Sequence, residues 1–130
     1  MHKSRIAAFV IDSKVGDIQV ANDFWTSALG INSIVSDESW ADRYTHLDVP
    51  DDQPRLLIQK VAHESRIHLD IETDDIAAEV KRLTALGAKV VKKFERWVVM
   101  EAPTGHRFCV VHPQRPDFSH AKDVNTWGKK

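Results

Sequence analysis

Apolar and polar positions along this chain fall into two similar halves. From Arg5 to Asp12, the residues Ile6-Ala7-Ala8-Phe9-Val10-Ile11 make a continuous apolar run, and from Arg66 to Thr73 apolar Ile67, Leu69 and Ile71 alternate with polar His68, Asp70 and Glu72. Both patterns predict strands. Each leads into a helix-period segment closed by glycine. Asp17–Leu29 carries Ile18, Ala21, Trp25, Ala28 and Leu29 ahead of Gly30, and Asp75–Leu86 carries Ile76, Val80, Leu83 and Leu86 ahead of Gly87. Asp74 and Asp75 are placed to cap the second helix.

Three shorter strand patterns follow each helix. They are Ile31–Ser36, Arg43–Val49 and Arg55–Val61 in the first half, and Lys89–Phe94, Trp97–Ala102 and His106–His112 in the second. Turns such as Pro50-Asp51-Asp52-Gln53-Pro54 and Pro103-Thr104-Gly105 separate them. The order is βαβββ twice, an α+β pattern with module one at 4–62, module two at 65–113 and a polar tail at 114–130. Neither half is large enough to bury its apolar face alone, so the two are expected to pack as one domain of 130 residues. A curved mixed sheet with a cup-shaped cavity between the modules is the architecture this predicts. In the tail, Phe118 and Trp127 are the large apolar groups, and Trp127 is expected to dock.

Strand alternation then assigns faces. In Arg66–Thr73 the apolar set faces the helix, which puts His68, Asp70 and Glu72 on the other side. Matching Arg5 with Arg66 sets Ala7, Phe9 and Ile11 against those three, and matching Arg55-Leu56-Leu57 with Arg107-Phe108-Cys109 sets Leu57 against Cys109. The cavity is therefore expected to be apolar in one half, with Phe9, Ile11 and Leu57, and hydrogen-bonding in the other, as small-molecule sites commonly are. Of tryptophans 25, 40, 97 and 127, Trp25 reads as core, whereas Trp97 is expected at the cavity mouth. Loop residues Asp37 to Ala41 and Asp51 to Pro54 are expected to tune specificity.

Composition narrows the function classes. A net charge of -1 with scattered Lys and Arg offers no basic face for nucleic acid, and the pairs Lys92-Lys93 and Lys129-Lys130 read as solvated surface. No apolar run is long enough to cross a bilayer, and no secretory pattern opens the chain, so the expectation is a cytoplasmic protein with no membrane partner. A single cysteine, Cys109, agrees with a reducing compartment. Phosphate loops, serine elbows and paired-cysteine metal spacings do not occur.

The run Arg66-Ile67-His68-Leu69-Asp70 with Asp74-Asp75, then Leu86-Gly87-Ala88, then Ala102-Pro103-Thr104-Gly105-His106-Arg107-Phe108-Cys109-Val110-Val111, resembles the glyoxalase-like branch of the vicinal oxygen chelate superfamily. Phe24-Trp25 before Ala28-Leu29-Gly30, and Arg55-Leu56-Leu57-Ile58-Gln59-Lys60-Val61, are similar to its first-module signatures. The resemblance implies paired βαβββ modules in a homodimer. It also implies a fold shared with glyoxalase I, extradiol dioxygenases, epimerases, fosfomycin-modifying enzymes and bleomycin-binding proteins.

Enzymes of that superfamily hold a divalent metal from the first and last strand of each module, positions that correspond here to Ala7, Leu57, His68 and Cys109. Alanine and leucine donate no lone pair, and one imidazole with one thiol leaves an ion short of ligands. The leading expectation is thus a metal-free protein without a cofactor. It would bind a small amphipathic organic molecule through Phe9, Ile11, Leu57, His68, Asp70, Glu72, Trp97 and Cys109. The alternative is a divalent-metal-dependent lyase, isomerase or dioxygenase in which His68 is a ligand, Glu101 moves a proton, and Gln59 replaces Leu57 after a register shift. A third reading is a dimerising module with a vestigial cavity.

Overall fold

A computed structural model of the chain describes residues 1–34 and 41–128. Val35 and Ser36 of the second predicted strand, Trp40, the loop positions 37–40 and the Lys129-Lys130 pair lie outside the described residues. The elements are β1 (His2–Lys14), α1 (Ile18–Leu29), β2 (Ser33–Ile34), β3 (Tyr44–Leu47), β4 (Arg55–Val61), β5 (Arg66–Thr73), α2 (Ile76–Ala85), β6 (Lys89–Lys93), β7 (Trp97–Glu101), β8 (Arg107–Val111) and β9 (Asn125–Trp127). Two helices and one mixed sheet of nine strands, counted among the described residues, make this an α+β fold. No helix among these residues is long and apolar enough to cross a membrane.

The chain divides into two compact units, Ala8–His68 and Met1–Ala7 together with the chain from Leu69 onward. This division differs from the expected module limits because β1 is thirteen residues long and serves both units. Its first residues pair with β9 in the tail (His2↔Trp127, Ser4↔Asn125), and its later ones pair with β4 (Ala8↔Arg55 to Lys14↔Val61).

In the Ala8–His68 unit, β4 pairs parallel with β1 and antiparallel with β3. Helix α1 begins where the Asp17 carboxylate accepts the Gln19 N–H at 2.9 Å. It ends at Gly30, whose φ of 65° only glycine adopts without strain. The core under this helix is Ile11, Ile18, Ala21, Leu47 and Ile58, with Val15, Trp25, Ile31 and Leu56 packed against it.

In the second unit, β5 pairs parallel with β8, and β8, β7 and β6 follow antiparallel. Asp75 caps α2 by accepting the Ala78 N–H at 3.0 Å, while Asp74 instead accepts the Lys3 N–H at 2.8 Å. Gly87 then turns at φ 106°, where an added Cβ would lie 3.0 Å from Pro103 Cγ; a side chain there is excluded by both backbone and space. Ala88, Val98, Met100, Phe108 and Val110 form the core, lined by Ile71, Ile76, Val80 and Leu83 of the expected strand and helix stripes.

The tail docks through Trp127 as expected. Its indole Nε1–H donates to Ser4 Oγ at 2.7 Å, and the Arg82 guanidinium stacks 3.9 Å from the ring centroid. A second anchor is buried charge. Arg5 donates to Glu72, Asp117 and Asp123, each at 2.6 Å, and the other Glu72 oxygen accepts the N–H groups of Gln114 and Arg115 at 2.6 and 2.9 Å.

Candidate functional site

In each unit the helix covers one face of its strands, and the opposite face carries the candidate site residues. On β5 and β8 the register Asp70↔Cys109 and Glu72↔Val111 puts His68, Asp70, Glu72 and Cys109 on the face turned away from α2, as expected. The β7–β8 register adds Trp97, Val99 and Glu101 to that face, with Val99 beside Cys109.

These residues differ in what they can do. Glu72 is fully buried and spends both oxygens on Arg5 and the tail, so it anchors structure where a ligand contact was expected. Glu101 accepts from Arg107 Nε at 3.2 Å, a half-exposed pair. Trp97 stacks on Phe94 at 4.4 Å between ring centroids, closing the β6–β7 hairpin, and both rings keep more than a third of their surface exposed. Cys109 is a half-buried free thiol.

The first unit corrects the expected faces. Val10 pairs with Leu57 and Ile11 with Ile58, so Ile11 packs under α1 and Phe9 shares that side, where it is 41% exposed. The face away from α1 instead carries Ala8, Val10 and Asp12 on β1, Arg55, Leu57 and Gln59 on β4, and Tyr44 and His46 on β3. A one-residue slip in matching the halves turns every side chain of a strand to the other face, and it placed Phe9 and Ile11 wrongly. Because Val10 stands to Leu57 as Asp70 stands to Cys109, the counterpart of His68 is Ala8 and not Ala7.

Four polar residues on this face, Asp12, Tyr44, His46 and Arg55, had no place in the expected site. Asp12 is 3% exposed, and its Oδ2 meets His68 Nδ1 at 2.7 Å, with Arg66 Nε at 3.9 Å and His63 Nε2 at 4.0 Å. An ionised Asp12 makes Nδ1 the protonated nitrogen and turns the lone pair to Nε2. Tyr44 Oη accepts from Gln59 Nε2 at 3.0 Å. His46 is held below the usual imidazole range, first by burial and then by the Arg55 charge. We expect His46 to titrate below 6.5 in a ring-proton NMR titration and to rise only partway back in Arg55→Gln, because burial is the larger cause. Full recovery of the ordinary value in that variant would contradict this ordering. The one signal for Asp12 in the sequence is an acid ending an apolar strand.

His68 and Asp70, two residues apart on β5, together with Cys109 beside Asp70, offer imidazole, carboxylate and thiolate donors. Three such donors suit a zinc-like ion with an open position, and a carboxylate on the remaining imidazole nitrogen is the usual support for a metal-bound histidine. Ala8, Val10 and Leu57 supply no donor from the corresponding positions of the other half.

Solved structures share this fold. A hypothetical protein from Bacillus halodurans aligns at a TM-score of 0.61 and 10% identity over 85% of this chain and 95% of that one. Methylmalonyl-CoA epimerase from Mycobacterium tuberculosis aligns at 0.59 and 17% identity over 89% and 91%. An extradiol ring-cleaving dioxygenase from B. fuscum aligns at 0.57 and 14% identity, over 85% of this chain but 32% of the dioxygenase. The epimerase and the dioxygenase belong to the vicinal oxygen chelate superfamily. The family model for the glyoxalase-like domain matches residues 8–111, and the chain belongs to that family. No curated protein matches the sequence.

Proposed function

We propose that this glyoxalase-like protein binds a small amphipathic organic molecule without a resident metal, on the β1, β3 and β4 face turned away from α1. The observation that carries this reading is the chemistry of the four corresponding strand positions, Ala8, Leu57, His68 and Cys109, of which one half donates nothing to a cation. Apolar Leu57 with the polar groups Tyr44, His46 and Gln59 on the same face is a lining suited to recognition.

Metal analysis of the purified protein, with thermal shifts against metals, aromatic antibiotics, pterins and dicarbonyl thiol adducts, tests it. The expected result is substoichiometric metal and a raised melting point with an organic ligand. Saturation at a hundredfold over Kd stabilises by about 2.7 kcal/mol. Stoichiometric zinc, nickel or iron, lost in His68→Ala together with activity, would overturn it.

A second reading is favoured by the His68, Asp70 and Cys109 donors and by the Asp12 contact to His68. It is a metal-dependent lyase, isomerase or dioxygenase, in which the bound ion would polarise vicinal substrate oxygens. Asp12 then orients the His68 ring, and the same metal measurement separates the two readings.

A further inference from the structure

We propose that Arg55 and the strand face around it form an oxyanion subsite, so that the bound molecule carries a carboxylate or phosphate on an apolar body. The inference rests on the small-molecule-binding reading above and names its ligand class.

Arg55 opens β4, where alternation places it with Leu57 and Gln59 on the face away from α1, while Leu56 and Ile58 turn to the core. Among the described residues, every other buried or half-buried arginine holds a carboxylate. Arg5 bonds Glu72, Asp117 and Asp123; Arg82 bonds Glu79; Arg107 bonds Glu101; Arg115 reaches Asp123. Arg55 is half-buried too, yet makes no hydrogen bond or ion pair with a described residue. Asp48, which would continue the β3 pairing opposite it, forms no ion pair with it either.

A partly desolvated guanidinium with no carboxylate is unfavourable on its own, and its planar fork of donors matches an oxyanion. The neighbouring His46 is held below the usual imidazole range by burial and by the same Arg55 charge, so it brings no second cation to the subsite. Half-buried Leu57 continues the face as apolar surface for the remainder of the molecule, while Val10 and Ala8 are themselves buried. An acid with a hydrocarbon or aromatic body fits this gradient from cation to apolar strand.

Titration calorimetry and ligand-observed NMR on the full chain, with benzoate, phenyl phosphate and neutral benzyl alcohol as probes, test the subsite. We expect at least one anion to bind about tenfold or more tightly than benzyl alcohol, a ratio typical of one charge-assisted contact. The better of the two anions assigns carboxylate or phosphate. Arg55→Gln should remove the preference, Arg55→Lys should retain part of it, and Arg43→Gln, at an exposed position, should leave it intact. If Arg55→Gln fails to fold, Arg55→Lys and the weakening of anion binding by added salt decide the matter. Equal binding of benzyl alcohol and the anions, or anion binding unchanged in Arg55→Gln, overturns the subsite and leaves the binding reading standing. No binding of any probe also overturns the subsite, and the thermal-shift panel then judges the broader reading separately.

Discussion

Glu72→Met should lower the unfolding free energy by about 3–5 kcal/mol, a change that in a domain of this size moves the melting point by roughly 10–20 °C. Glu72 is fully buried and accepts from Arg5 Nε at 2.6 Å and from two tail N–H groups. Methionine keeps the volume but removes every acceptor, leaving a buried guanidinium short of one partner and two backbone donors with none. Asp117 and Asp123 keep their own bonds to Arg5, which limits the loss. Both are substantially exposed, so water screens them and neither can replace the buried carboxylate. Urea unfolding of Glu72→Met, Arg5→Met and the double variant checks the argument. The double variant should lose less than the two singles together, because replacing both members of a buried pair leaves fewer stranded charges. Additive losses, or a Glu72→Met melting point within about 2 °C of wild type, would show that the pair is not coupled in this way.

The role of Glu72 also shows where reading the chain from its pattern stops. Its strand, face and neighbours were legible, because Ile67, Leu69 and Ile71 alternate strictly with His68, Asp70 and Glu72. What alternation does not carry is the partner. Arg5 lies 67 residues away and Gln114 another 42 beyond, and no local spacing announces their meeting. The same limit explains the first half. Ile6 to Ile11 is apolar at every position, so it has no alternation to assign a face, and the arginine match chose the wrong one by a single residue. The closing strands, matched through Leu57 and Cys109, kept the correct correspondence because Leu56 and Phe108 are each followed by a core residue, Ile58 and Val110, at the same step. Asp12, Tyr44, His46 and Arg55 entered the candidate site only through strand pairing, which is a long-range property. The glycine-closed helices were legible because their signals are local: an aspartate at the start, and a glycine turn at or just past the end.

Glu79 gives the second large effect and the clearest dependence on pH. It sits fully buried on α2, accepts from His2 Nε2 at 2.8 Å, and takes both Arg82 Nε and Nη2 at 2.8 Å, while Arg82 in turn covers Trp127. One carboxylate therefore ties the helix to the start of β1 and, through Arg82, to β9. Burial pushes this carboxyl up, but the hydrogen bonds from Arg82, His2 and Ser4 and the Arg82 charge outweigh it and hold it below its ordinary value of 4.5. A folded-state value below the unfolded one means that the unfolded chain binds the proton first as pH falls. The stabilisation is thus fully present above 4.5 and is lost as pH falls through the folded-state value. Glu79→Ala, measured by urea unfolding at neutral pH, should cost about 3 kcal/mol, since it strands a half-buried arginine and a buried histidine nitrogen together. Glu79→Gln keeps the shape and removes the titration, so its stability should decline less steeply than that of wild type on acidification below pH 4.5. Parallel declines for the two proteins across that range would assign the acid sensitivity to other carboxylates, with Asp117, which Arg5 holds below its usual range, the next to replace.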